Sequence, residues 1–363
     1  MNVGGTPRRT LWLGEDGHSV EIIDQTRLPH AFETVSLRGL EDAERAIRDM
    51  LVRGAPLIGV TAAYGVCLGL REDPSDAGLE RACARLLATR PTAVNLRWAL
   101  EEMQTLLGPV APEARVDRAY ARASEIAEED VALCRAIGEH GAKLLADLPR
   151  RGDRPLQVLT HCNAGWLAAI DWGTALAPLY VAHEQGLPLE VWVDETRPRN
   201  QGASLTAWEL AEHGISHRVV ADNAGGHLMR TGQVDVCITG SDRTTADGDV
   251  CNKIGTYLKA LAAHDNGIPF YVALPYSTID WTLGDGAAIE IEDRGEAEVR
   301  WISGRDADGR IVAVDLLPAE SGAANPAFDV TPARLVTRLI TERGACEASR
   351  AGLEGLYPER VRA

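Results

Sequence analysis

Val234-Asp-Val-Cys-Ile-Thr-Gly-Ser-Asp-Arg-Thr-Thr-Ala-Asp-Gly-Asp-Val-Cys-Asn-Lys-Ile-Gly-Thr-Tyr257 is the stretch from which the architecture of this chain is read. It opens with the β-branched apolar run Val234 to Thr239, expected to form a buried strand. Gly240 ends the run, and a polar loop follows. A helix is expected to begin near Asn252, with Ile254, Tyr257, Leu258 and Leu261 at helical spacing. Asp242 then lies just past the carboxyl end of a strand and Asn252-Lys253 at a helix start, on the edge where open α/β sheets bind ligands. A carboxylate, a carboxamide and an ammonium converging there suit a small polar anion. On this stretch alone, Asp242 as a simple turn cap stands equally open.

On both sides of this stretch strands alternate with helices. Leu156–Thr160, Leu189–Val193, Arg218–Ala221 and Pro269–Leu274 read as strands, and Leu205–Glu212, Gly225–Arg230 and Asn252–His264 as helices. Such alternation predicts a mostly parallel sheet covered on both faces. Three strands run out into Asp194-Glu195, Asp222 and Asp242, and a fourth into His161-Cys162-Asn163-Ala164-Gly165. Parallel strands bring all these ends to one rim. Cys162, between a buried strand and a glycine-containing turn, is a candidate base or nucleophile, although most cysteines are packed thiols. If the site moves protons, Asp242 is the natural partner of Cys162, since an acid and a base on facing loops is the minimum for aldose–ketose chemistry, and Asp194 and Glu195 compete for that role. Gln201 could bind hydroxyls. Asp285–Val314 reads as hairpin or irregular β, and Thr331-Pro332 as the cap and first-turn proline of a helix ending at Gly344.

The N-terminal part has a different texture. Short strand-like runs at 11–13, 20–23 and 34–37 precede a helix over 41–52. Arg53-Gly54-Ala55-Pro56 then leads into an apolar helix over 57–70, and Arg90-Pro91-Thr92-Ala93-Val94 separates helices over 77–89 and 95–107. Proline is favoured in a first helical turn, whose free N–H groups favour anions. An arginine beside such a turn can complete a phosphate cradle, although a solvated arginine between ordinary helices explains either motif equally well. A long charge-laced helix is expected over 111–148. Pro149 to Pro155 is the linker candidate, which places a domain boundary between 1–148 and 149–363.

Composition narrows the functional classes. With 37 Lys+Arg against 53 Asp+Glu the net charge is −16, which argues against nucleic acid or an anionic membrane as a partner. Seven cysteines (67, 83, 134, 162, 237, 251, 346) show no CxxC pair, and no HExxH occurs. Neither a structural metal nor a disulfide framework is expected. Met1–Thr10 has no apolar core, and the uncharged run Gly54–Leu70 is short and interrupted by proline and glycine. A soluble protein of a reducing compartment is expected.

Taken together, the motifs resemble a known family. Arg53-Gly54-Ala55-Pro56, Arg90 through Leu96, Thr160 through Gly165, Asp194 through Pro198 with Gln201-Gly202, Asp249 through Tyr257, Ser277 through Asp280, and Asn325 through Pro332 recur in that order. The set is similar to methylthioribose-1-phosphate isomerases of methionine salvage, themselves related to the regulatory subunits of translation initiation factor 2B. The resemblance spans about Leu37 to Gly344. It implies a small N-terminal α+β domain, a Rossmann-like catalytic domain, a cytoplasmic homodimer, and no metal or redox cofactor. It also implies a phosphorylated pentose substrate. By position, Asp242 matches the family's proton donor and Cys162 its second catalytic residue. Arg53, Gly54, Ala55, Arg90, Gln201, Asn252 and Lys253 match its substrate-binding positions. Arg199-Asn200, Ser204 and Thr244-Thr245 depart from the family's usual residues beside the site. That leaves isomerases of 5-deoxyribose 1-phosphate or ribose 1,5-bisphosphate as alternatives, with Arg199 the one obvious extra cation for a second phosphate. A non-catalytic regulatory subunit is a further alternative, but it has no need of both Cys162 and Asp242. Trp166, Leu57 and Val94 are candidates to line an apolar pocket for a methylthio group.

Overall fold

The computed structural model describes residues 1–149 and 152–360. It begins with a ribbon of β1 (Asn2–Val3) and β2 (Thr6–Pro7), then an antiparallel meander of β3 (Leu11–Leu13), β4 (Val20–Ile23) and β5 (Thr34–Leu37). Helices α1 (Leu40–Arg48), α2 (Ala55–Glu72), α3 (Asp76–Thr89), α4 (Val94–Leu107) and α5 (Pro112–Ala146) follow. Every residue of α2 from Leu57 to Leu70 is buried. A helix apolar on all sides belongs inside a bundle, and the flanking helices close around it in one core with Leu11, Val20 and Leu37. The expected linker contains Arg150 and Arg151, which lie outside the described residues.

The second half is built on a seven-stranded sheet of order β18-β17-β12-β9-β6-β7-β8. Its strands are β6 (Leu156–Thr160), β7 (Leu189–Asp194), β8 (His217–Val220), β9 (Val236–Thr239), β12 (Phe270–Ala273), β17 (Arg338–Thr341) and β18 (Gly344–Cys346). All neighbours are parallel except β17 and β18. Every residue of β6, β9 and β12 is buried, as mostly apolar runs in a sheet covered on both faces should be. The covering helices include α6 (Ala177–Glu184), α7 (Ala207–Glu212), α8 (Ala224–Arg230) and α9 (Thr256–Asp265). From β6 the chain winds outward through β7 to β8, then returns to the other side of β6 as β9. The strand order therefore reverses between β6 and β9.

Two expected helices are corrected. Asn252 and Lys253 do not start a helix: β11 (Val250–Lys253) pairs with β10 (Arg243–Thr245) and with β16 (Phe328–Thr331), and β13 (Ile279–Asp280) completes this four-stranded sheet. Gly255, at φ 101°, takes the left-handed turn that lets α9 start at Thr256. The helix expected from Thr331 to Gly344 is also absent among the described residues. Thr331 ends β16, a single 3₁₀ turn covers Ala333–Leu335, and the β-branched Ile340 and Thr341 lie in β17. There the run pairs in parallel with β12, since sheet burial overrides a proline-led helix signal. In the region expected to be hairpin or irregular β, α10 (Ala297–Arg300) precedes the ribbon β14 (Trp301–Arg305) and β15 (Ile311–Asp315). Finally, α11 (Arg350–Leu356) packs beside β18.

The two halves are joined through α5, which packs on α6. A Cβ placed on Gly141 would lie 2.4 Å from Pro178 Cγ, so the glycine permits the close approach. In an open helix, alanine for glycine would add about 1 kcal/mol of stability. Here the steric clash, about 1–3 kcal/mol, is the larger effect. Gly141→Ala is expected to lower the thermal midpoint, and a midpoint at or above that of the parent would show that α5 and α6 separate without cost.

Candidate active site

The carboxyl ends of β6 and β9 flank the reversal of strand order, where the connections leave in opposite directions and open a crevice. Cys162 follows β6 and Asp242 follows β9, and both line this crevice with Arg53, Gly54, Ala55 and Asn252. Cys162 has φ 66°, in the left-handed region. Its N–H donates to Thr196 Oγ1 at 2.8 Å, and Thr206 Oγ1 donates to its carbonyl at 2.7 Å. Its Sγ donates to Gln201 Oε1 at 3.4 Å. Asp242 is fixed by its own N–H, which donates to the Cys251 carbonyl at 2.9 Å.

The cations come from all sides. Arg53 is 8% exposed, and its two terminal nitrogens donate to Asn163 Oδ1 and, at 2.7 Å, to the Asn163 carbonyl. Its Nε is buried with no hydrogen-bond partner among the described residues. Burial pushes Arg53 below the ordinary arginine value, while the charges of Cys162, Asp242 and Glu209 oppose that shift. Gly54 enters α2 at φ 96°, where a Cβ would meet the Ala168 backbone at 2.5 Å, so both conformation and space require glycine. The Ala55 and Leu57 amides in the first turn of α2 lack helical acceptors, and Gly54, Ala55 and Pro56 line the crevice. Arg90 lines an adjoining cavity with Ala55, Ile58, Val94, Asp242, Ile289 and Phe328. It is pushed down by burial and then by Arg294, and it donates to Glu292 at 3.3 Å. Lys253 lies one layer behind, donating to the Ala327 carbonyl at 3.0 Å over the Phe328 ring. Burial, and then Arg294, push it down to about 8. Gln201 and Arg53 also line a larger cavity bounded by the turn over 25–31 and by β14.

Beneath the rim lies a buried charge cluster. Asp194, fully buried, accepts from His161 Nδ1 at 2.9 Å and from Lys259 Nζ at 3.0 Å, and His161 Nε2 meets the Ile254 carbonyl at 2.8 Å. Asp222 accepts from the Thr196 and Arg197 amides. These two rim carboxylates therefore hold loops in place, and Asp194 is turned away from the acid–base role for which it competed. Arg199 pairs with Glu298 at 2.9 Å, so its charge is already matched. Of the three apolar candidates, Val94 lines a cavity, whereas Trp166 and Leu57 are fully buried in the cores.

Sequence reasoning missed Asn163, Glu209, Glu292 and Arg294. Asn163 lay within a quoted motif without a role. Glu209 shares its helix with Glu212, and its only signal was its place beside Leu210, which is fully buried. Glu292 and Arg294 lie in a stretch read as irregular, where periodicity carries nothing.

A signature of the initiation factor 2 subunit family matches residues 51–348. The methylthioribose-1-phosphate isomerase of Methylorubrum extorquens is 65% identical over 364 residues, covering 100% of each chain. That of Rhodospirillum rubrum is 65% identical over 368 residues, covering 99% of this chain and 94% of that one. The crystal structure of 5-methylthioribose 1-phosphate isomerase from Pyrococcus horikoshii OT3 (Form II) superposes with TM-score 0.84 at 36% identity, covering 98% of this chain and 97% of that one. The translation initiation factor eIF-2B, subunit delta, from A. fulgidus superposes with TM-score 0.79 at 38% identity, covering 97% and 100%. The chain belongs to the initiation factor 2 subunit family and, within it, to the methylthioribose-1-phosphate isomerases.

Cysteine reactivity offers a direct test of this geometry. Burial pushes the other six thiols up: Cys346 to about 11, Cys83 and Cys251 to about 12, and Cys67, Cys134 and Cys237 further. Cys162 alone of the seven opens onto the crevice. A small alkylating reagent at pH 8 is expected to label Cys162 first. Peptide mapping that finds another cysteine labelled first would show the crevice closed to solutes.

Proposed function

We propose that this chain is an aldose–ketose isomerase converting 5-methylthioribose 1-phosphate to 5-methylthioribulose 1-phosphate. The observation that carries the reading is the meeting of Cys162 and Asp242 in one crevice with Arg53, Gly54, Ala55 and Asn252, in a chain 65% identical to a named isomerase along its length. A regulatory subunit needs no such thiol–carboxyl pair.

The substrate's chemistry assigns the parts. A 1-phosphorylated furanose has no free aldehyde, so its ring must open before the carbonyl can move. Asp242 donates a proton to the ring oxygen as the bond from C1 to that oxygen breaks. Cys162 takes the C2 proton, leaving an enol between C1 and C2. The enol collapses to a C2 ketone as the Cys162 thiol returns its proton to C1 and the Asp242 carboxylate takes the proton of the C2 hydroxyl, which restores both groups and neither gains nor loses an atom. Arg53, the amides of Gly54 and Ala55, Arg90 and Lys253 hold the phosphate, and Gln201 and Asn252 hold the hydroxyls. Ile58, Val94, Ile289 and Phe328 form an apolar wall suited to a methylthio group. No cofactor is required by this scheme. The same reading takes residues 1–148 as an α+β domain and 149–363 as a Rossmann-like catalytic domain, in a cytoplasmic homodimer. The resemblance supports those assignments.

Two measurements test the proposal. Burying a methylthio group is worth about tenfold to a few hundredfold over hydrogen. Since Arg199 is already paired, kcat/KM is expected to fall in the order 5-methylthioribose 1-phosphate, 5-deoxyribose 1-phosphate, ribose 1,5-bisphosphate. A bisphosphate that turns over best would overturn the assignment. Asp242→Asn keeps the shape but removes the acid, and is expected to lower kcat by about 10²–10⁴-fold at an unchanged thermal midpoint. Retained activity would remove Asp242 from the chemistry.

A further inference from the structure

Glu209, in α7, is fully buried yet has no ion-pair partner within 4.0 Å among the described residues. Instead its carboxylate accepts four hydrogen bonds: from Trp166 N at 2.9 Å, Leu167 N at 3.0 Å, Tyr180 Oη at 2.6 Å and Asn163 Nδ2 at 2.9 Å. The last of these reaches the active site. With Nδ2 held by Glu209 and by Thr206 Oγ1 at 3.1 Å, the Asn163 amide can only present Oδ1 to the other side. There Oδ1 and the Asn163 carbonyl together accept both terminal nitrogens of Arg53. A carboxylate, a carboxamide and a guanidinium thus form a directed relay from the hydrophobic core to the crevice. None of the three can turn without leaving a buried polar group unpaired.

We infer that Glu209 is a positioning residue for the isomerase reaction: acting through Asn163, it sets the direction in which Arg53 faces the substrate. The inference rests on the reading of Arg53 as a phosphate anchor. Glu209 touches neither Cys162 nor Asp242 by any hydrogen bond among the described residues, so it should govern binding and leave the proton transfers alone. Glu209→Gln is nearly isosteric, but it replaces two acceptor oxygens with one acceptor and one donor. Turned one way, the new N–H faces Leu167 N and Asn163 Nδ2 and cuts the relay; turned the other, it faces Trp166 N and leaves a neutral carboxamide oxygen to hold Asn163, so in either orientation the relay loses the charged acceptor at its root.

The experiment starts with the parent protein on 5-methylthioribose 1-phosphate, because absence of turnover there sinks the functional reading itself. With turnover established, Glu209→Gln is expected to raise KM, and the inhibition constant for inorganic phosphate, about tenfold or more, with kcat within about threefold. A residue that merely held the core would lower kcat through a smaller active fraction and leave KM and phosphate inhibition untouched, and that outcome overturns the inference. Asn163→Ala cuts the same relay one step later. It should show the same KM effect, and the double variant should be no worse than Asn163→Ala alone. Additive effects would show that the two residues act separately and overturn the inference. If Glu209→Gln fails to fold, Asn163→Ala decides alone: raised KM and phosphate inhibition constant with kcat kept supports the relay, and an unchanged KM removes it.

Discussion

The reversal of strand order between β6 and β9 is the constraint on which the rest depends. Two adjacent parallel strands whose connections leave toward opposite sides cannot both be roofed by helices. The gap between their carboxyl ends must be filled by loops or by ligand. The segments after β6 and after β9 are therefore committed to the crevice by topology before any side chain is chosen. The β10–β11 hairpin closes one side, and the amino end of α2 is brought in from the other half of the chain. A site assembled from such distant segments is only as good as the joints between them, which is why buried polar contacts are so dense here.

Charge explains the second layer. The chain carries a net charge of −16, yet Arg53 lines the crevice, Arg90 lines the adjoining cavity and Lys253 lies one layer behind. Local charge wins because exposed acids farther than about 8–10 Å are screened by salt, whereas a pair at 4 Å in a partly buried site interacts with about 4 kcal/mol instead of about 1 in water. The same burial disfavours the cations themselves, pushing Lys253 to about 8 and Arg53 and Arg90 downward. A dianionic phosphate would relieve that cost for all three at once. In the free protein it is offset by neutral or acidic oxygens: the Asn163 carbonyl and carboxamide, the Ala327 carbonyl, and Glu292.

Much of this was legible in the sequence, and the parts that were not share a cause. β6, β9 and β12 were readable because strands buried on both faces are mostly apolar, and in β6 the polar Gln157 and Thr160 are hydrogen-bonded where they are buried. α2 was readable because a long uncharged run opening on proline has few other uses. β11 was not, because Asn252 and Lys253 are polar for a reason internal to the site, while Ile254, Tyr257, Leu258 and Leu261 beyond them supplied a helical period that truly begins at Thr256. The Thr331–Gly344 stretch misled in the same way: Thr-Pro is a sound local helix signal, and pairing with β12 outweighed it. That Cys162, Asp242 and Arg53 would meet at one crevice could be read because thiol, acid and arginine stood at element ends. Asn163 and Glu209 could not, since what they do depends on which way a carboxamide faces, and no spacing rule encodes that.

The left-handed backbone at Cys162 has a consequence for how this protein can change over time. A residue with a Cβ held at φ 66° gives up about 1–2 kcal/mol relative to an ordinary conformation. Glycine, asparagine and aspartate tolerate that region best, and β-branched side chains least. Mutational drift at this position is thus pulled toward residues that relax the turn while discarding the thiol, and it is disfavoured toward valine and isoleucine, although Thr196 shows that a threonine held by its own hydrogen bonds can take the same backbone. If Cys162 serves the reaction as proposed, a lineage that kept the fold but lost the need for that reaction should shed the cysteine early and gain stability by doing so. In a fold carried both by isomerases and by initiation-factor subunits, that makes the turn after the first sheet strand a place where loss of catalysis would be recorded before any change in architecture.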